Sequence, residues 1–198
     1  QMIQPFKTYD KSDVESPLNP MNRFAETHPD IQVSFMMAPT VQELYTSKIP
    51  SYAGYLSEKT FIDECYKKMN GVSTVDCLSY LTGHSSEYVF YRTDHHWTSL
   101  GAYYAYCAAA KTLGYSAYTL DQFNIETASS SFRGTLYSKT LDNGVTPDSI
   151  DYFHLASGGP KVKMTVFDGT KETVYDSLYV RSYLDVKNNY SSFTGSNS

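Results

Sequence analysis

The stretch IQVSFMMAPT, residues 31–40, sets the first constraint on what this chain folds into. It reads as a continuous apolar run of strand length that stops at Pro39, and a strand of that kind is covered on both faces, as in the parallel sheets of α/β proteins. Helical patterns alternate with it. In SEKTFIDECYKKMNG, residues 57–71, Ser57 is an N-cap, Phe61, Ile62, Cys65 and Met69 recur at helical spacing, and Gly71 is the stop. VSTVDCLSYL then gives a short strand ending near Asp76, and SEYVFYRT gives another. TSLGAYYAYCAAAKTLG is a helix capped by Thr98 or Ser99 and closed by Gly114. Strand, helix, strand, strand, helix predicts an α/β fold with a mainly parallel sheet and helices packed on it.

The flanks read differently. Residues 1–21 carry Pro5, Pro17 and Pro20 and are expected to be an irregular lead-in, with the core spanning 22–144. NRFAETHPD reads as the end of a helix stopped by Pro29. SIDYFHLA, KVKMTVF and KETVYDSLYV have strand composition, the last two joined by a turn through Asp168 and Gly169. Residues 145–182 are therefore expected to form a small antiparallel β-insertion. The Ser/Asn/Gly-rich residues 183–198 are expected to be a mobile tail that breaks off mid-course. Starting at Gln1, the chain reads as trimmed.

Composition limits the partners. The 198 residues carry a net charge of −5 and no basic run, which argues against a nucleic-acid backbone or an anionic membrane surface. No stretch reaches the ~18 apolar residues needed to span a bilayer, so the chain is not expected to be transmembrane. The 19 tyrosines fit a surface for neutral polar ligands such as carbohydrate, or half-buried sheet positions. Cys65, Cys77 and Cys107 are odd in number and lack CxxC spacing, so buried free thiols are expected rather than a disulfide framework or a zinc site. No cofactor is implied.

The chemistry concentrates in YRTDHHWTSLG, residues 91–101, where Asp94, His95, His96 and Trp97 stand side by side. An imidazole acts as a general base when a carboxylate accepts from Nδ1 and so fixes the ring with Nε2 toward the nucleophile. Asp and His two positions apart on a turn can converge in that way. The turn would lie at the carboxyl end of a strand, where open α/β sheets carry their ligand crevice, with Trp97 wedging it against the core. Three other readings stay open: a metal site, although His28, His84 and His154 are isolated; a pH-sensitive surface patch; or turn residues satisfied by backbone groups. SFRGTLYS adds Arg133 and Tyr137 beside a glycine that lets backbone approach a ligand, or an ordinary turn. Thr40, following the first strand, either lines the same crevice or caps a helix.

YRTDHHWTSLGAYYAY resembles the signature of the DHHW protein family of Firmicutes. FMMAPTVQELYTSKIP, DQFNIETASSSFRGTLYSK, TPDSIDYF and SYLDVKNNYSSFTG extend the resemblance over nearly the whole chain from about residue 22. That family is similar to the alginate O-acetyltransferase relatives of the SGNH hydrolases, whose corresponding motif is D-x-H-W. The resemblance implies an SGNH-hydrolase-like three-layer α/β/α core, with Asp94 as orienting carboxylate, His96 as base and His95 at the variable middle position. It implies O-acyl transfer or ester hydrolysis on a glycan, outside the cell or at its surface. In those relatives the serine nucleophile follows in a G-D-S or D-S-[YF] turn. Ser99, Ser138 and Ser157 are better explained as a helix cap, a loop residue and a turn residue, so the serine is expected outside this chain. The competing expectations are a non-catalytic glycan-binding or surface-assembly module and, further off, a metal-dependent hydrolase.

Overall fold

The computed structural model describes residues 1–157, 159–167, 169–186 and 189–193. They fall into two compact units, Gln1–Ala117 with Arg133–Thr146, and Tyr118–Phe132 with the described part of Pro147–Ser198. Strands and helices mix throughout, but among the described residues each sheet has two strands.

The first unit opens with a correction. Residues expected to be an irregular lead-in form a helix, α1, over Lys11–Thr27, with Pro17 and Pro20 inside it. A proline within a helix removes an N–H donor and crowds the preceding turn. Two features outweigh that cost here. Asp10 accepts from the backbone N–H groups of Ser12 and Asp13 at 2.7 and 3.1 Å, while Asp13 accepts from the Asp10 N–H at 2.9 Å, closing a reciprocal cap. Val14 and Leu18, four residues apart on one face, are buried with Cys65 and packed against Phe35, Phe61 and Met69.

Strand β1 (Val33–Met36) pairs in parallel with β2 (Val72–Val75), Val33 opposite Val72 and Met36 opposite Val75. Between them run α2 (Val41–Leu44), capped by Thr40, and α3 (Glu58–Lys67), capped by Ser57. Asp76 caps α4 (Cys77–Gly83), and Thr98 caps α5 (Ser99–Leu113), which ends on Gly114 at φ +76°. Among the described residues, the expected mainly parallel sheet is thus one parallel pair of four-residue strands.

The apolar segment before the histidines is the second departure. Val89, Phe90 and Tyr91 are buried, yet they join no ladder. The chain folds back on itself instead. Tyr91 N–H donates to His96 O at 3.2 Å, Thr98 N–H to Val89 O at 2.9 Å, and Phe90 faces Trp97 in an isolated antiparallel bridge. The amino-terminal residues add two more bonds: Met2 N–H donates to Arg92 O, and Gln1 Nε2 to Tyr91 O, each at 2.8 Å. Backbone polar groups that a sheet would have paired are paired by this turn and its neighbour. Gly101 lets α5 begin against it, since a Cβ there would lie 2.2 Å from Val89 O.

In the second unit, β3 (Phe123–Phe132) pairs antiparallel with β4 (Asp148–Leu155), with register shifts between Thr127 and Ser129 and between Ser129 and Phe132. The antiparallel part therefore reaches back to Phe123 and is not confined to residues 145–182. Strands β5 (Met164–Phe167) and β6 (Glu172–Tyr175) form the expected hairpin. Gly169 takes φ +90°, while Asp168 lies outside the described residues. Tyr179 stacks on Tyr152 at 4.1 Å between ring centroids, and its hydroxyl both donates to Phe153 O and accepts from Phe153 N. Of the expected tail, residues 187, 188 and 194–198 lie outside the described residues; Arg181–Asp185 and Asn189–Phe193 form short 3-10 turns. Between α5 and β4 in sequence, α6 (Thr135–Thr140) belongs to the first unit.

Cys65 and Cys77 are buried and Cys107 half-buried, all three as free thiols, and burial, with the Asp76 charge added, pushes the Cys77 thiol up to about 12. Such a thiol is inert as a nucleophile at neutral pH. No helix among the described residues is long and apolar enough to cross a membrane. Because Leu18 holds α1 to α3, Leu18→Ala should destabilise the chain by about 2–5 kcal/mol, read by urea unfolding; an unchanged midpoint would show that α1 is not packed as described.

Candidate active site

The site is built around one buried carboxylate. Asp94 is 2% exposed, and four donors reach it. Oδ1 accepts from the His96 backbone N–H at 3.0 Å and from His96 Nδ1 at 2.6 Å. Oδ2 accepts from the Thr135 backbone N–H at 2.8 Å and from Thr135 Oγ1 at 3.0 Å. Burial by itself raises a carboxyl pKa. Here the His96 side-chain hydrogen bond, the Thr135 and His96 N–H groups and the His96 charge overcome it and hold Asp94 well below the usual carboxylate range.

Backbone geometry makes this possible. Thr93, fully buried, accepts the Gly134 N–H on Oγ1 and the Tyr137 N–H on its carbonyl, each at 3.0 Å, which docks the start of α6 onto the 93–94 strip. A Cβ on Gly134 would sit 2.3 Å from both Cβ and Oδ2 of Asp94. The glycine in SFRGTLYS admits close backbone approach, but the group it admits is Asp94.

His96 receives a fixed orientation in consequence. With Nδ1–H donating to Asp94, the lone pair of the neutral ring is on Nε2, the form a general base needs. His95 lies beside it, ring centroids 3.9 Å apart, with Nδ1 2.8 Å from Thr135 Oγ1. Burial first, then the His96 and Lys139 charges, lower the His95 pKa, against an opposing pull from Asp94.

The remaining sequence candidates divide. Trp97 packs against a core cluster containing Val89, Phe90 and Tyr104. Thr40 lines a cleft with His95, Thr135 and Lys139, yet its own polar groups serve the fold: the hydroxyl accepts from Gln42 N and donates to Glu58, and its N–H donates to Glu58 Oε2 at 2.7 Å. Glu58 is buried, which raises its pKa against the effect of those bonds. Arg133 and Tyr137 are placed with each other: the guanidinium lies 4.4 Å from the Tyr137 ring centroid and donates to Val145 O, and the phenol donates to Asn143. Neither lines that cleft. Of the serines, Ser138 donates to Gly134 O at 3.2 Å, and the cap of α5 is Thr98 rather than Ser99.

Thr93, Thr135, Lys139 and Glu58 went unmarked in the sequence reading. Only Thr135 had a signal, its place directly after the glycine of SFRGTLYS. Asp94, His95 and His96 also offer one metal-ligand atom each, all within 4.8 Å of one another. An ion there would compete with the donors that already occupy both Asp94 oxygens and with Thr135 at His95 Nδ1.

Gly134→Ala should cost about 1–3 kcal/mol in urea unfolding and weaken the Asp94–His96 bond, seen as a shift of the His96 ring protons; full stability would contradict the packing described. The depressed Asp94 pKa also has a definite sign. Its stabilisation is complete above the ordinary aspartate value of about 4 and is lost as pH falls below it toward the folded value. The stability difference between wild type and Asp94→Asn should therefore shrink on acidification below about pH 4; a difference that is flat with pH would refute the pairing.

The DHHW protein family model matches residues 30–197. A DHHW family protein from Eubacterium siraeum superposes with TM-score 0.76 at 26% identity, over 96% of this chain and 63% of that one. PatB1 from Bacillus cereus gives TM-score 0.69 at 17% identity, over 88% and 63%. The O-acetyltransferase domain of Pseudomonas putida AlgJ gives 0.54 at 18%, over 74% and 58%. The last two likenesses are of fold, and this chain spans less than two thirds of the length of each of the three. No curated protein matches it. With the family model covering most of its length and the motif built as described, the chain belongs to the DHHW protein family.

Proposed function

We propose that this chain is part of an acyl-transfer domain that moves O-acetyl groups onto a glycan hydroxyl, or hydrolyses such esters, by a Ser-His-Asp mechanism. The observation that carries the reading is the 2.6 Å bond from His96 Nδ1 to a carboxylate that is buried and otherwise satisfied. Asp94 is the orienter and His96 the base. The nucleophile is a serine outside residues 1–198, in a turn of the D-S-[YF] type. Its hydroxyl proton passes to His96 Nε2 as Oγ attacks the acyl carbonyl, and the donor's leaving oxygen takes that proton. A sugar hydroxyl or water then gives its proton to His96 and attacks the acyl-serine, and the serine oxygen recovers the proton as it leaves.

The fold likeness to a domain described as an O-acetyltransferase supports this reading. So does PatB1, also known with a sulfonyl adduct, its structure superposing on this chain with TM-score 0.67 at 16% identity. The reading places the chain within an SGNH-hydrolase-like three-layer α/β/α core and puts its work outside the cell or at the surface, where acylated glycans are found.

In the longer protein, His96→Ala should lower hydrolysis of 4-nitrophenyl acetate by about a thousandfold or more, with binding of the ester little changed. Activity retained in that variant would overturn the assignment. No esterase or transferase activity in the wild-type longer protein would favour the binding module instead.

A further inference from the structure

His95 stands beside the acid/base pair without belonging to it, and its hydrogen bonds define its state. Thr135 Oγ1 lies between His95 Nδ1, at 2.8 Å, and Asp94 Oδ2, at 3.0 Å. A hydroxyl has one proton and an ionised carboxylate only accepts, so Thr135 donates to Asp94 and accepts from His95 Nδ1–H. The neutral His95 ring is thereby held with its lone pair on Nε2. Its lowered pKa keeps it in that form at neutral pH.

The ring is 48% exposed and helps line a cleft of about 570 Å³ together with Phe6, Lys7, Thr40, Thr135 and Lys139. The lining residues bring three kinds of group: the aromatic ring of Phe6, which also packs on Tyr9 and Phe61; the ammonium groups of Lys7 and of Lys139, the latter also donating to Gln4; and the His95 ring, whose Nε2 is an acceptor. A saccharide is the complement of that set, with an apolar ring face, oxygens that accept and hydroxyls that donate. A simple anion would suit the lysines but present its charge to a lone pair, and an apolar ligand would leave the polar groups unpaired.

We propose that His95 binds the acyl acceptor, its Nε2 taking a hydrogen bond from a hydroxyl of a neutral saccharide in this cleft, and that Thr135 is the positioning residue that sets its tautomer. This rests on the acyl-transfer reading: His95 lines the cleft and His96 does not, but the two rings are adjacent, centroids 3.9 Å apart, so a saccharide that reaches past His95 would bring a further hydroxyl toward the base. It accounts for two histidines in the motif where acid/base chemistry needs one.

The test begins with this chain, which needs no nucleophile to bind. Cellotriose, xylotriose, maltotriose and triacetylchitotriose are titrated by calorimetry while the His95 ring nitrogens are followed by NMR. At least one trisaccharide should bind and shift the His95 Nε2 signal, with affinity falling about tenfold in His95→Phe. Thr135→Val should move His95 toward the Nε2–H tautomer and weaken binding, and Thr135→Ser should restore both. The proposal is overturned if none of the four binds, if His95→Phe binds as wild type does, or if Thr135→Val leaves the tautomer in place. In the longer protein, the ratio of acetyl transfer onto the bound trisaccharide to hydrolysis should fall about tenfold in His95→Phe; equal loss of both would make His95 part of the acid/base machinery and sink the proposal. Ester hydrolysis surviving His96→Ala would defeat the acyl-transfer reading alone, since the binding measurements do not depend on it.

Discussion

Burying a single carboxylate is the constraint around which the first unit is arranged. An ionised Asp94 out of water is costly unless all its acceptor positions are filled. The structure fills them from two places far apart in sequence, residue 96 and residue 135. One carboxylate therefore ties the turn before α5 to the start of α6, and in doing so it orients His96. Removing either set of donors would leave a buried charge short of partners, so the orientation of His96 and the local stability are one property.

Glycines make room for that arrangement at two points where backbone and site must touch. Gly134 brings the start of α6 against Asp94, and Gly101 brings α5 against the Val89 carbonyl. Between them the 89–98 segment closes on itself and carries its polar backbone groups without a sheet. Trp97 is held in this closed turn by its bridge to Phe90 and by the cluster behind it, so the motif is fixed from the core side as well as from α6. The face left toward the cleft is the His95 and Thr135 side, completed by residues near the amino end.

Much of the local order was legible because it depends on neighbours in sequence. Ser57 and Thr98 cap the helices that follow them, Gly114 ends α5, and Val33–Met36 and Val72–Val75 are strands, whereas Asp76 was legible only as the end of a strand and not as the cap of α4. The convergence of Asp94 and His96 was also readable, since two positions on a turn bring a carboxylate to the following-but-one ring. Helix α1 was not readable from its prolines, because what offsets them is burial of Val14 and Leu18 against residues from 35 to 69. Nor was the fate of SEYVFYRT: its composition suits a strand, and only the return of Trp97 and the approach of Gln1 and Met2 decide that it closes as a turn. Thr40, Arg133 and Tyr137 were marked for polarity and position, and each turns out to be committed to structural partners.

The sequence by itself determined the acid/base chemistry on offer: an aspartate, two histidines and a tryptophan in four consecutive positions before a capped helix, in a pattern that marks the family. Only the tertiary structure decided how that chemistry is poised. Thr135, forty residues from His95, supplies the hydroxyl that links His95 to Asp94 and distinguishes the two rings. The physical reason is that a tautomer and a carboxylate pKa are set by which donors and acceptors stand within about 3 Å, and those partners come from another part of the chain.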